Sequence, residues 1–223
     1  MTPPPAAELP DPFRFLNGRP LLNPDDWPDR RREIAAAILP LEYGGLPPTP
    51  AQTVGEILHA TTVHTADKAQ FLTVRVQTGP DRPYAFLMTL LIPADPGPHP
   101  VVLTGDACWR YATEAVTLDI LRRGYILAQF NRVELAADVY RPDRTSGIYL
   151  AHPEKEYGAL AAWAWGYHRC VDVLTAMDSV DPSRIAIVGH SRGGKTTLLA
   201  GATDPRIALT GANNSGAGGA GCF

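Results

Sequence analysis

Residues Gly189 to Thr196, GHSRGGKT, satisfy two chemical motifs at once. Read as G-x-S-x-G, Gly189-His190-Ser191-Arg192-Gly193 puts a serine on a sharp strand-to-helix turn, where its hydroxyl can attack a carbonyl. Read as G-x-x-x-x-G-K-[ST], Gly189 through Gly194-Lys195-Thr196 is a loop that cradles phosphate. Both readings need an apolar strand before and a helix after, and SRIAIVG (183–189) and residues 192–202 supply them. A nucleotide site also needs an acid at the end of a later strand to help hold Mg²⁺. Only 27 residues follow Thr196, and their one expected strand, RIALTGA, runs into Asn213 and Asn214. Asp106, at the end of VVLTGD, comes before the loop instead of after it. The serine reading fits its surroundings better. Gly189 and Gly193, two residues before and two after Ser191, relieve the crowding of a strained elbow. The helix starting near Arg192 aims that residue's N–H at a developing oxyanion, and the loop within 101–110 is placed to offer a second N–H.

The elements that must position this turn alternate in a readable order. Residues 1–50 are proline-rich and frame one helix around NPDDWPDRRREIAAAIL, with Arg30-Arg31-Arg32 read as a solvated face. Short β-rich runs follow at 55–63, 70–77 and 84–93, the last two joined by a Gly79-Pro80-Asp81 turn. Phe71, Thr73, Arg75 and Gln77 alternate with Leu72, Val74 and Val76, the pattern of a half-buried antiparallel strand. After residue 99 the rhythm becomes strand, helix (113–124, closed by Gly124), strand, a polar loop (131–156), a long helix, strand, helix, strand. This order predicts an α/β fold of the α/β-hydrolase type, a three-layer sandwich with a mixed, mostly parallel sheet. Residues 1–50 are expected to form an N-terminal segment and residues 51–223 the hydrolase domain.

Composition narrows the classes. A 223-residue chain with 45% apolar residues can bury a sizeable core. A net charge of −3 and no basic run argue against a nucleic-acid partner. Nothing approaches 18 consecutive apolar residues, so no membrane span is expected, and the N-terminus lacks the basic start and apolar run of a secretory signal. The compartment and the oligomeric state stay open. Cys108, Cys170 and Cys222 are widely spaced, show no metal pattern and read as free thiols, with one disulfide as the alternative.

Three stretches carry a closer resemblance: WAWGYHRCVDVL, DPSRIAIVGHSRGGKTTLLAGATDPRIAL and NNSGAGGAGCF. Together with the opening LPDPFRFLNGRPLLNPDDWPDRRREI, they resemble carbohydrate esterase family 15, the glucuronoyl esterases. The most specific part is G-x-S-R-x-G-K at 189–195 followed by N-x-S-G-x-G-G at 213–219. The resemblance implies Ser191 as catalytic nucleophile, and Arg192 as oxyanion stabiliser through its N–H and its guanidinium. It implies Lys195 as the residue that binds hydroxyls of a glucuronate ring. The implied substrate is an ester of 4-O-methyl-glucuronic acid on xylan with an alcohol such as a lignin alcohol, and no metal or organic cofactor is implied. Two cations beside the serine suit a sugar acid better than the apolar acyl group of a lipid. An acetyl xylan or other carbohydrate esterase is an alternative, as is a non-catalytic carbohydrate-binding remnant.

The departures are equally specific. The order on this fold is serine, then acid, then histidine. The 32 residues after Ser191 contain one acid, Asp204, and no histidine. Asp204, in ATDPR, has capping or pairing with Arg206 as its alternative role. Asn213 and Asn214 stand where some members of the family carry the acid. Of the earlier histidines, His190 precedes the serine directly, His168 lies within the long helix, and His152 is in the 131–156 loop. The expectation is that acid and base lie beyond residue 223 and that this length alone is inactive. Loss of the base alone costs about 10⁶ in kcat in a comparable triad.

Overall fold

The computed structural model describes residues 10–64, 68–80, 83–109, 112–140 and 144–221. The chain divides into two compact units, Met1–Tyr43 and Gly44–Phe223. In the first, Asn23 and Asp26 cap a short 3₁₀ turn reciprocally, and α1 (Trp27–Ile38) continues from it. Arg30 does not join a solvated face. It is 4% exposed and pairs with Glu33 at 2.6 Å, its Nε donating to the Pro12 carbonyl at 3.1 Å. Arg32 of the same run is exposed.

The second unit is built on one seven-stranded sheet in the order β1-β2-β3-β5-β4-β6-β7. Its strands are β1 (Gln52–Val63), β2 (Ala69–Gly79), β3 (Ala85–Ile92), β4 (His99–Thr104), β5 (Ile126–Phe130), β6 (Val180–His190) and β7 (Ile207–Asn213). The pairings β1–β2, β2–β3 and β3–β5 are antiparallel, and β5–β4, β4–β6 and β6–β7 are parallel. The antiparallel meander shows the alternation its sequence predicts. Leu72, Val74 and Val76 of β2 are buried while Phe71, Thr73 and Arg75 are half-buried and Gln77 is exposed. All five residues of β5 are buried, as a strand covered on both faces should be, the polar Gln129 among them.

Four helices are described: α1, α2 (Glu114–Arg122), α3 (Ala159–Leu174) and α4 (Arg192–Thr203). Helix α2 packs on β5, while α3 and α4 pack on each other, α3 across β1, β2 and β6 and α4 along β6 and β7. Almost every residue of α3 is buried, including Trp163, Trp165 and Tyr167, so this helix is part of the core on nearly all sides. Trp163 and Trp165 both donate their indole N–H inward, to the carbonyls of Ala136 at 2.8 Å and Pro48 at 2.9 Å. Among the described residues no helix is long and apolar enough to cross a membrane. Cys108 and Cys170 are free thiols, and Cys222 lies outside the described residues, as does Asp81 of the expected β2–β3 turn.

One side chain locks the strand ends that matter. Tyr167 of α3 is fully buried, and its hydroxyl accepts the Gly105 N–H at 2.7 Å and donates to the Val188 carbonyl at 3.1 Å. It therefore joins the segment leaving β4 to the C-terminal end of β6. Tyr167→Phe keeps the ring but leaves both groups without that partner. It should lower stability by about 1–3 kcal/mol in urea titration, and an unchanged midpoint would contradict the role given to this hydroxyl.

Candidate active site

The turn between β6 and α4 is a single residue. Strand β6 ends at His190, α4 begins at Arg192, and Ser191 between them holds φ +55°, ψ −119°. A left-handed φ on a non-glycine residue is strained and persists only where the surroundings enforce it. Here the Ser191 N–H donates to the Asn213 carbonyl at 2.9 Å and its own carbonyl accepts the Lys195 N–H at 3.1 Å. The side chain is left exposed at the tip of the turn. Arg192 opens α4, directly after Ser191, so its N–H has no intrahelical acceptor. The same geometry removes the phosphate reading. Residues 192–195 are already helical, leaving no loop between Gly189 and Lys195 to wrap a phosphate.

The two glycines act for different reasons. A Cβ on Gly189 would lie 2.5 Å from the Gly193 carbonyl oxygen, so this glycine lets the elbow close on itself. A Cβ on Gly193 would meet Oδ1 of Asp106, a side chain carried at the end of the neighbouring strand β4. Asp106 lies two residues past the end of β4, and its Oδ2 accepts the His190 N–H at 2.7 Å. Its Oδ1 accepts from Nη1 of Arg132, which lies just after β5. Burial pushes the Asp106 carboxyl above the usual carboxylate range, against the His190 N–H and the positive charges nearby, which favour its ionised form. Nη2 of Arg132 reaches Oδ2 of Asp138 at 3.4 Å, and Oδ1 of Asp138 meets Nη1 of Arg192 at 2.8 Å. Arg132 itself is 1% exposed and lies 4.8 Å over the Trp163 ring.

Of the residues singled out in the sequence, Ser191, Arg192 and Lys195 fall together at this end of α4. The Lys195 ammonium is not free there: it donates to the Ala217 carbonyl in the glycine-rich turn after β7. The 101–110 loop is described as far as Trp109. Its N–H groups are largely engaged: Gly105 on Tyr167, Asp106 on Thr104 Oγ1 at 3.2 Å, Ala107 on the Phe130 carbonyl at 3.4 Å and Trp109 on the Asp106 carbonyl at 3.0 Å. Asp106, weighed in the sequence only as a Mg²⁺ ligand, is instead the support of the elbow. Arg132 and Asp138 were not singled out. Arg132 had a signal, as a charged residue just after a fully buried strand at the end of a parallel sheet where such sites form; Asp138, eight residues past that strand, had none in local pattern.

The remaining candidates lie elsewhere. His168 is 8% exposed, with Nε2 at 3.1 Å from the Ala200 carbonyl and 3.2 Å from Thr203 Oγ1. Ala200 is nine residues along α4 from Ser191, roughly 13 Å of helix. Burial depresses the His168 pKa. His152 is buried among Pro48, Thr78, Tyr84 and Trp165 at a cavity of about 350 Å³ beside the end of β2. That is four strand positions from β6, roughly 19 Å at the usual spacing. Asp204 takes its alternative role. It is 5% exposed and held by Arg206 through Nε–Oδ1 at 2.9 Å and Nη2–Oδ2 at 2.6 Å, and its carboxyl sits below the usual range although burial opposes this. Among the described residues, no side chain hydrogen-bonds the Ser191 hydroxyl.

Residues 74–223 match the family model described as glucuronyl esterase, fungi. Over 99% of its length the chain is 34% identical to a 4-O-methyl-glucuronoyl methylesterase of Podospora anserina, covering 43% of that protein. Among solved structures it is similar to a glucuronoyl esterase from Solibacter usitatus, with a TM-score of 0.80 and 28% identity over 97% of this chain and 66% of that one. It is also similar to a serine-to-alanine mutant of the Sporotrichum thermophile esterase in complex with methyl 4-O-methyl-β-D-glucopyranuronate. There the TM-score is 0.74 and the identity 29%, over 96% of this chain and 55% of that one. The chain spans about half the length of the curated relatives it matches, 43% and 51% for two of them.

Two outcomes follow from the geometry. Gly193→Ala should cost about 2 kcal/mol or more in chemical unfolding, because the new methyl meets a carboxylate that is itself pinned; a loss under half of that would show the elbow to be pliable. His168 has a folded pKa below its ordinary value of about 6.5, so its contribution to stability is complete above that value and is lost as pH falls through the folded one. Urea midpoints at pH 7 and pH 5 should therefore differ more for the wild type than for His168→Gln, and equal differences would exclude the imidazole as a source of the acid sensitivity.

Proposed function

We propose that this chain, which belongs to the glucuronoyl esterase family, carries the nucleophile and the oxyanion side of a serine carboxylesterase. Its substrates are esters between 4-O-methyl-glucuronic acid on glucuronoxylan and an alcohol, including lignin alcohols. The observation that carries the reading is the single-residue turn with Ser191 at φ +55°, which holds an exposed hydroxyl beside the unpaired N–H at the start of α4.

In this reading the Ser191 Oγ adds to the ester carbonyl and yields its proton to a base. The tetrahedral oxyanion is met by the Arg192 N–H and guanidinium. Collapse expels the alcohol and leaves the glucuronoyl group on Ser191, and water then releases the acid. Lys195, one turn along the same helix face, binds ring hydroxyls of the sugar. The base is not among the described side chains that touch Ser191. The chemistry therefore calls for a histidine and an acid from outside the described set.

The unpartnered Ser191 hydroxyl also supports a second reading, in which the cationic end of α4 binds a sugar acid without turning it over. Turnover of methyl 4-O-methyl-β-D-glucopyranuronate and titration with glucuronic acid separate the two. The 223 residues alone should hydrolyse the ester negligibly. A form that includes the base should do so readily and lose about 10⁶ in kcat with Ser191→Ala. In that form Lys195→Ala should damage the glucuronate ester far more than a small acetyl ester. Ser191→Ala without effect on turnover, or equal losses on both esters, would end the respective assignment.

A further inference from the structure

We propose that Asp138 is a positioning residue for Arg192, and that the buried Arg132 is the clamp that fixes Asp138. Oxyanion stabilisation then depends on a charge pair reaching the site from the loop after β5. The inference rests on the esterase reading, in which the Arg192 guanidinium faces the oxyanion.

The need for such a device follows from the accounting of donors. On this fold the loop after the strand next to β6 ordinarily gives the oxyanion its second N–H. Here the N–H groups of Gly105, Asp106, Ala107 and Trp109 are bound within the fold. In the esterase reading the guanidinium of Arg192 serves as a second donor, and its side chain is 51% exposed. A long cationic side chain at that exposure loses much of its rotamer freedom when it is held in one place. A donor that must be ordered during the reaction is worth much less than one already in place.

An exposed ion pair between two mobile side chains would not supply that order. The pair with Asp138 is different because Asp138 is not mobile. Its side chain is 16% exposed, and two residues earlier the Ala136 carbonyl accepts the Trp163 indole N–H at 2.8 Å. Leu135 and Ala136 are buried, which anchors the loop just before Asp138. The second oxygen of Asp138 faces Arg132, whose own N–H donates to the Gly105 carbonyl at 3.1 Å and whose guanidinium lies over Trp163.

Arg132 therefore holds two carboxylates, one with each terminal nitrogen. Asp106 carries the hold to the backbone before Ser191, through the His190 N–H. Asp138 carries it to the side chain after Ser191, through Arg192. One buried cation thus sets both flanks of the nucleophile. Asp138 occupies Nη1 of Arg192, leaving Nε and Nη2 of its planar fork for the oxyanion.

The test uses the complete, active protein with methyl 4-O-methyl-β-D-glucopyranuronate as substrate, and the variants Asp138→Asn, Asp138→Glu, Arg192→Ala and Asp138→Asn/Arg192→Ala. Arg192→Ala should lower kcat by about 10²–10³, the usual loss for one oxyanion donor. Asp138→Asn should lower kcat about tenfold with KM nearly unchanged, Asp138→Glu should recover part of it, and the double variant should be no worse than Arg192→Ala. A full kcat in Asp138→Asn, or losses that multiply in the double variant, would overturn the proposal. If the wild type hydrolyses no ester, the esterase reading fails and the clamp is judged by NMR of the arginine side chains. A slowly exchanging Arg192 Nε–H in the wild type that is lost in Asp138→Asn sustains it, and one already averaged with solvent in the wild type refutes it.

Discussion

A carboxylate with three obligations organises this end of the sheet. Asp106 accepts a backbone N–H from the residue before the nucleophile, occupies the space that a side chain at Gly193 would need, and pairs with a cation that is almost wholly removed from water. Each contact alone is ordinary. Together they leave the chain between β6 and α4 one path, and that path places Ser191 in a backbone conformation it would otherwise avoid. Because Asp106 follows β4 and Arg132 follows β5, the strain at one strand end is supported by its neighbours across the parallel ladder.

Such a cluster is an expensive way to hold a turn. Taking Arg132 and its carboxylates out of water costs several kcal/mol per ion, and the mutual attraction returns that only when partners are well placed. The raised pKa of Asp106 shows burial still weighing against the charge. A hydrophobic cluster of equal volume would pack as well and fix direction less. The direction is what the chemistry needs, since hydrogen bonds at an elbow are useful only if they point at the reacting atoms.

Much of this was legible in the residues. The alternating burial of β2, the buried β5, the Gly124 stop after α2 and the strand-turn-helix around Ser191 follow from local pattern, because each depends on a period of two or 3.6 residues or on a single backbone requirement. The supports of the elbow were not, because they come from residues 85 and 59 positions earlier and meet it only through strand order. Asp106 was conspicuous as an acid ending a strand but was read against the wrong chemistry, and Arg132 and Asp138 sat in a segment that looked like a plain polar loop. The burial of Arg30 was misread for a related reason: three adjacent arginines do not share an environment when a helix turns them 100° apart.

The contact between Lys195 and the Ala217 carbonyl has a consequence for whatever enters here. An ammonium has three protons to give, and one is already committed to a turn closed on itself by Gly216, Gly218 and Gly221. A ligand hydroxyl reaching that lysine either shares it or displaces the carbonyl, and displacement unfastens the turn from the helix. Two of the three protons remain for a ligand while the turn stays fastened; only a ligand that takes the third couples its own binding to order in the segment after β7.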